Sequence, residues 1–267
     1  MLGKLIGYET KAFGRIMLPL YGAMLAYALF TGLSIRFAPN HALEGLPAVL
    51  IFMLYTFLML AIIIMTCVLS VTRFYKNLLG QEGYLMFSLP TDTATLIASK
   101  VISVVIWSTL SSVVSMLAIA LSVLGGGGLA PFKDIVEFFS YPEAWEQLPS
   151  VLGVLILTAL IVIVSTAASI VRIYAGIAIG HQFNDHRILF SILALVAFSV
   201  IGTTLSSILG TLGYYSGAFD SLSKIFDADS LQGLYLAQGG MIALSLAQLV
   251  FFGVMTWWLL DHKLNLE

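Results

Sequence analysis

Six long runs of apolar residues dominate the pattern of hydrophobic and polar positions along the chain. The run VLIFMLYTFLMLAIIIMTCVL, at residues 49–69, does not alternate between apolar and polar positions. Transmembrane β-strands alternate over about ten residues, whereas a spanning helix needs about 20 predominantly apolar residues. The pattern therefore predicts an all-α membrane protein with six transmembrane helices. The predicted spans are residues 16–35, 46–71, 101–124, 151–171, 188–212 and 234–260.

The composition agrees with this prediction. Hydrophobic residues make up 60% of the chain and charged residues 10%, and the mean hydropathy is +1.01. Soluble domains carry about 25% charged residues. We therefore predict a single multi-pass transmembrane domain over residues 1–267, with the lipid membrane as its solvent.

The twelve Lys and Arg residues are unevenly divided between the two ends of the predicted spans. Loops on the cytoplasmic side of a membrane carry the excess of these residues. One side holds Lys4, Lys11, Arg15, Arg73, Lys76, Lys100, Arg172, Arg187 and Lys263, and the other holds Arg36, Lys133 and Lys224. We therefore expect both termini to be cytoplasmic and residues 125–147 and 213–233 to form external loops.

The first fifteen residues, MLGKLIGYETKAFGR, combine apolar and charged positions at helical spacing. Leu2, Leu5, Ile6 and Phe13 lie near one face of such a helix, and Lys4, Glu9, Lys11 and Arg15 lie elsewhere. Helices with this pattern lie in the membrane interface. The segment 1–15 is predicted to be an interfacial helix, and a frayed charged leader is the alternative.

The sequence lacks the residues that several kinds of chemistry require. The cores of the six predicted spans contain no Asp, Glu, Lys, Arg or His, the groups that ion-coupled carriers place near the midplane. No GxxxxGK[ST] motif is present, so the chain does not bind a nucleotide through a P-loop. His181, Asp185 and His186 in GHQFNDHR lack a convincing third metal ligand, and a solvated turn is the simpler interpretation. We expect no metal or cofactor in this chain and no enzymatic activity of its own.

Gly176 and Gly180 form a GxxxG pattern near the cytoplasmic end of the fourth span. Small residues at this spacing let two helix backbones approach closely. The sequence leaves open whether the neighbour is another helix of this chain or a second subunit.

The polar segment GQEGYLMFSLP interrupts the apolar pattern between the second and third spans. Arg73, Lys76 and Lys100 bracket it and are predicted to be anchors at the membrane surface. Leu78, Leu79, Tyr84, Leu85 and Phe87 supply apolar side chains, Glu82 supplies a charge, and Pro90 ends the segment. An amphipathic piece of this kind can dock in the groove of a soluble partner. A structural turn that packs against the lipid is the alternative.

Three stretches give the chain a resemblance to a known family: YETKAFGRIMLPLYG, QEGYLMFSLPTDTATLIASK and GHQFNDHRIL. With the six predicted spans, they resemble the permease subunits of bacterial ABC-2 type exporters, in particular short permeases without a fused nucleotide-binding domain. The resemblance covers nearly the whole chain. It implies a bacterial cytoplasmic membrane protein with a connecting helix at residues 2–15 and a coupling helix within residues 78–90.

The resemblance also implies partners. Two permeases, identical or similar, would work with two separate ABC ATP-binding subunits, which bind ATP and Mg, and no nucleic acid is expected. Residues carried over as ATPase-interface candidates are Gln81, Glu82, Tyr84, Leu85 and Phe87, with a second contact around Asn184, Asp185 and Arg187. The apolar spans favour a hydrophobic or amphipathic cargo. The alternatives are a membrane scaffold or sensor that binds a cytoplasmic protein without transport, and an ion-coupled carrier.

Overall fold

Long α-helices make up almost all of the protein in the computed structural model. The structure describes residues 2–37, 45–80, 83, 86, 88, 91–127, 133, 137, 140–183, 186–215 and 231–262. A π-helical turn, Tyr75–Leu79, follows the second helix directly. The six long helices are α1 (Leu2–Phe37), α2 (Gly45–Phe74), α3 (Thr93–Gly127), α4 (Pro142–Gly180), α5 (Arg187–Tyr215) and α6 (Leu231–His262).

All six helices are long and apolar enough to cross a membrane. The shortest, α5, has 29 residues, which corresponds to about 43 Å against a hydrocarbon core of about 30 Å. No β-strand occurs within the described ranges. The prediction of an all-α, multi-pass membrane protein with six apolar helices is therefore confirmed, whereas the cytoplasmic location of the termini stays a prediction.

The helix bounds extend beyond the predicted spans. Residues 2–15 are helical and continue into the first span without a break, so the interfacial position of that segment stays a prediction. α4 is one uninterrupted helix over Pro142–Gly180, where the apolar pattern alone could not distinguish one helix from two. Apolar stretches predict the part of a helix that crosses lipid. The helix itself extends as far as its backbone hydrogen bonds continue, so its ends can lie beyond the apolar stretch.

Much of the apolar surface of these helices is exposed. The most apolar 18-residue part of α5 has no fully buried residue, and the corresponding part of α2 has very few. In a bilayer such side chains face lipid tails, which are as apolar as they are. The exposed isoleucines and leucines therefore fit a membrane environment.

The chain folds as two compact units. Unit 1 contains the described residues of 1–70 and 102–148, and unit 2 contains those of 71–101 and 149–267. In unit 1, a stripe of buried residues runs along α1 from Phe13 through Met17 and Tyr21 to Met24. The Tyr21 hydroxyl lies 2.6 Å from Ser111 Oγ and 3.2 Å from the Trp107 carbonyl of α3. Polar contacts thus join α1 to α3 inside an apolar seam.

The C-terminal ends of α1 and α3 approach each other closely at two glycines. A Cβ atom on Gly32 would lie 2.8 Å from the Gly125 Cα and 3.0 Å from the Ser122 carbonyl oxygen. Ser122 Oγ also donates a hydrogen bond of 3.2 Å to the Ala28 carbonyl. Because the neighbouring atoms are backbone, this contact depends on the absence of a side chain.

In unit 2, α4 contacts α2 and α6. The rings of Phe74 and Tyr174, both fully buried, stack with centroids 4.0 Å apart. The Tyr235 hydroxyl of α6 donates to the Ser150 carbonyl at 2.8 Å, and Gln238 Nε2 donates to Thr158 Oγ1 at 2.9 Å. Side-chain amides and hydroxyls serve as interhelical links where lipid offers no competing partner.

Two charged residues lie in places that the sequence did not indicate. Glu9 was assigned to the charged face of an interfacial helix, and Lys100 to a surface anchor. The structure leaves only 6% of Glu9 and 3% of Lys100 exposed. Both assignments are wrong, because hydropathy patterns cannot distinguish a charge in water from one that its own chain surrounds.

The first prediction concerns the contact between α1 and α3. Gly32→Ala should destabilise the protein by about 1–3 kcal/mol, because the added methyl group forces two backbones apart. Thermal unfolding of the purified protein in mild detergent measures this. Gly22→Ala in the same helix is the matched control, since a Cβ there meets nothing within 4 Å. Equal melting temperatures for the two variants would contradict the close contact.

Candidate functional site

Most of the predicted interface residues lie outside the described residues. These are Gln81, Glu82, Tyr84, Leu85 and Phe87 of the polar segment, and Asn184 and Asp185 of the turn after α4. Arg187 is described and is the first residue of α5. The site is therefore built from the residues that lead into and out of these two segments.

The polar segment begins from a π-helical turn. The Gly80 N–H donates a 2.8 Å hydrogen bond to the Tyr75 carbonyl, five residues earlier. Within this turn Leu78 is fully buried and Leu79 is 5% exposed. Both had been interpreted as docking side chains for a partner, and that interpretation is wrong because they pack inside their own chain. Short π-helical turns are frequent at functional sites.

The segment ends where α3 begins. The Asp92 carbonyl accepts hydrogen bonds from the Thr95 and Leu96 N–H groups, which opens the helix. Thr93 Oγ1 donates to Asp261 Oδ1 near the end of α6 at 3.3 Å. Leu96 and Ile97, on the first turns of α3, are buried. Both ends of the segment are thus fixed to unit 2.

The turn between α4 and α5 is only partly solvated. Gln182, Phe183 and His186 are exposed, as predicted, but His181 is 7% exposed. The ring of His181 meets the Tyr75 ring edge-on with centroids 5.9 Å apart. Its Nδ1 atom is buried and has no hydrogen-bond partner among the residues that the structure describes. The expectation of a solvated turn is therefore wrong for His181.

Burial and the nearby positive charge of Arg187 both lower the pKa of His181 below its usual value, burial being the larger cause. Each disfavours the imidazolium form, since a buried cation loses hydration and a neighbouring cation repels it. The ring is consequently neutral near pH 7, with one nitrogen able to donate and the other able to accept a hydrogen bond.

The two glycines of the GxxxG pattern form the contact between α4 and α5. A Cβ on Gly180 would collide with the backbone nitrogen and Oγ of Ser191 and lie 2.7 Å from the Arg187 carbonyl oxygen. A Cβ on Gly176 would lie 2.7 Å from Leu195 Cδ2. The neighbour that the sequence left open is therefore the next helix of the same chain. This contact holds the His181 turn and the start of α5 in place.

A cavity of about 410 Å³ lies between the ends of α2, α4 and α5 in unit 2. We call it the Lys76–Arg187 cavity. Its walls are mostly apolar, and its cationic and imidazole groups come from the π-helical turn, the His181 turn and the start of α5. The lining residues are Val71, Thr72, Tyr75, Lys76, Ile173, Ile177, His181, Arg187, Ile188, Ser191, Ile192 and Leu195.

This arrangement was not predicted from the sequence. Arg187 had been assigned to a weaker contact with an ATPase, and Lys76 to a membrane anchor. The signal that was available is that Lys76, His181 and Arg187 all fall in loops predicted to lie on the cytoplasmic side. The spacing of these residues in the sequence does not indicate that all three line one cavity.

The part of the chain that the structure describes contains no cluster of side chains that could form a metal centre. No three His, Cys, Asp or Glu side chains converge there. The chemistry available at the Lys76–Arg187 cavity is instead cationic and hydrogen-bonding, beside an apolar wall.

Comparison with known proteins gives no family for this chain. No protein-family model, no curated protein and no solved structure matches it. The function is therefore argued from the residues and their geometry.

The second prediction tests the GxxxG contact. Gly180→Ala should destabilise the protein by about 1–3 kcal/mol, because the methyl group meets the α5 backbone. Gly240→Ala on α6 is the control, since a Cβ there has no atom within 4 Å. Thermal unfolding in mild detergent measures both. A Gly180→Ala variant as stable as Gly240→Ala would show that α4 and α5 do not touch at this glycine.

The third prediction concerns His181. Its pKa is lowered in the folded protein, so the unfolded state binds more protons once the pH falls below about 6.5, and stability is lost as the pH decreases further. Between pH 7.5 and 5.5 the melting temperature of the wild type should fall more than that of His181→Phe. His186→Asn, at an exposed position in the same turn, serves as the control and should behave like the wild type. Equal pH dependence in wild type and His181→Phe would contradict a buried neutral ring.

Proposed function

We propose that this protein is the membrane permease subunit of an ATP-driven ABC exporter. A separate ATP-binding subunit hydrolyses ATP, and this chain moves a hydrophobic or amphipathic cargo across a bacterial cytoplasmic membrane. Two permeases, identical or similar, act with two ATPases. The proposal rests on the sequence resemblance to ABC-2 type permeases and on the features of unit 2 described above.

The observation that carries the proposal is how the two ends of the polar segment are fixed. The segment leaves α2 through the π-helical turn, whose Leu78 and Leu79 are buried, and enters α3 beside buried Leu96 and Ile97. On either side, Phe74 stacks on Tyr174 of α4 and Thr93 bonds to Asp261 of α6. A displacement of the segment is consequently passed to four spanning helices, α2, α3, α4 and α6.

This attachment suits a coupling element. Force from a soluble partner reaches a membrane domain only if the contacting segment is joined rigidly to the helices that must move. Packed aromatic rings and buried leucines provide such a joint, because close-packed interiors transmit displacement.

The partner-facing surface is assigned to the residues between these fixed ends. Gln81, Glu82, Tyr84, Leu85 and Phe87 combine an acidic group with apolar and aromatic side chains. Aromatic residues surrounded by polar groups dominate the binding energy of many interfaces. Since Leu78 and Leu79 are buried, the coupling helix proposed within residues 78–90 presents a surface that begins after residue 79.

The fourth prediction tests this assignment. Glu82→Ala combined with Tyr84→Ala should weaken recovery of a P-loop ATPase with the tagged protein by about tenfold or more, since two central interface residues are removed. Pull-down in mild detergent, mass spectrometry and an ATPase assay on the eluate measure this. Stimulation of the ATPase by the permease should fall in parallel, while membrane insertion stays unchanged.

A matched control uses the same residue types on the predicted external side. Glu137 and Tyr141 are both exposed, so Glu137→Ala with Tyr141→Ala removes the same two residue types from positions outside the polar segment. This variant should keep normal ATPase recovery. If the wild-type protein is recovered alone or with a partner that is no ATPase, the exporter is rejected and a membrane scaffold takes its place.

A further inference from the structure

The Lys76–Arg187 cavity has its charged groups at one end and apolar side chains along its length. Lys76 follows α2, His181 follows α4 and Arg187 begins α5, so all three lie at helix ends. Ile173 precedes His181 by eight residues, and Leu195 follows Arg187 by eight residues. Eight helical residues correspond to about 12 Å. The apolar wall therefore extends about 12 Å from the charged end toward the middle of the spans.

The charged end is suited to an anion. Among the lining residues that the structure describes are two permanent cations, Lys76 and Arg187, and no Asp or Glu. His181 lines the same cavity, is more than nine-tenths buried and leaves its Nδ1 without a partner in the described chain. Arg187 and Ile188 form the first turn of α5, where the free N–H groups of a helix favour negative charge.

Part of the apolar wall is exposed on α5. Ile188 is 74% exposed and Ile192 is 55% exposed, and both line the cavity. Side chains of a spanning helix that are exposed in this way face lipid. A ligand can consequently enter sideways from the bilayer, without passing through water.

We propose that the Lys76–Arg187 cavity binds an anionic phospholipid of the surrounding bilayer. Its phosphate contacts Lys76, Arg187 and the free nitrogen of His181, and one acyl chain lies along Ile173, Ile192 and Leu195. The cavity volume of about 410 Å³ lies within the range of about 300–1,000 Å³ that small-molecule sites occupy. The assignment is independent of the export function, since it applies equally to a scaffold.

The fifth prediction is tested by photo-crosslinking of the full chain in phosphatidylcholine vesicles. The probes are phosphatidylglycerol and phosphatidylcholine, each with a diazirine in one acyl chain, and labelled peptides are located by mass spectrometry. The phosphatidylglycerol probe should label the cavity walls on α4 and α5 about tenfold more than the phosphatidylcholine probe. Both lipids carry a phosphate, but the choline cation of phosphatidylcholine cancels its charge and is repelled by Lys76 and Arg187. Equal labelling by the two probes would overturn the proposal.

A double variant locates the head group. Lys76→Gln with Arg187→Gln should reduce labelling by phosphatidylglycerol about tenfold. Lys11→Gln with Arg15→Gln removes the same two residue types from exposed positions on α1 and should leave labelling unchanged. Unchanged labelling in a correctly folded Lys76→Gln, Arg187→Gln protein would also overturn the proposal.

If the double variant fails to fold, a lipid competition experiment on the wild-type protein tests the proposal. Unlabelled phosphatidylglycerol should displace the phosphatidylglycerol probe from α4 and α5, and unlabelled phosphatidylcholine should not. Equal displacement by both lipids would show a site without charge selectivity. Displacement by inorganic phosphate alone would show a site for a free anion, and either of these results rejects the lipid.

Discussion

Lipid offers the backbone no hydrogen-bond partners, and the architecture of this protein depends on that constraint. Each spanning segment must satisfy its own N–H and C=O groups, which leaves the α-helix as the solution for separate segments. Hydroxyl side chains inside the helices follow the same rule by donating to the carbonyl four residues earlier. They include Thr56 to Phe52, Thr66 to Ile62, Thr109 to Val105, Thr158 to Val154 and Thr203 to Ser199. Polar residues can therefore occupy spans without a partner on another helix.

The same solvent changes what holds the helices together. Lipid tails compete equally for apolar side chains, so contacts between helices depend on close backbone approach and on polar groups that find partners. Gly32 with Gly125 provides the close approach in unit 1, and Gly176 and Gly180 provide it in unit 2. Tyr21, Tyr235 and Gln238 provide the polar links. Small and polar residues therefore carry much of the packing specificity in a chain that is 60% hydrophobic.

This division explains what could be predicted from the sequence. Transfer of apolar side chains into lipid is a local property, so the six helices followed from runs of about 20 residues. Which helices touch depends on contacts between residues far apart in sequence. The GxxxG pattern at Gly176 and Gly180 indicated a contact but not its partner, which is α5. The burial of Lys100 and of His181 was missed for the same reason, because a charge near a span end has the same pattern whether water or protein surrounds it.

The π-helical turn connects the two proposals. Tyr75 and Lys76 line the cavity, while the Tyr75 carbonyl accepts the hydrogen bond from Gly80 that starts the polar segment. A ligand that binds Lys76 therefore contacts the same π-helical turn, Tyr75–Leu79, from which the polar segment begins. If lipid binding and partner binding both favour the same arrangement of this turn, each strengthens the other by the same factor, because the coupling between two sites is reciprocal. A membrane lipid would then regulate engagement of the soluble partner without contacting it.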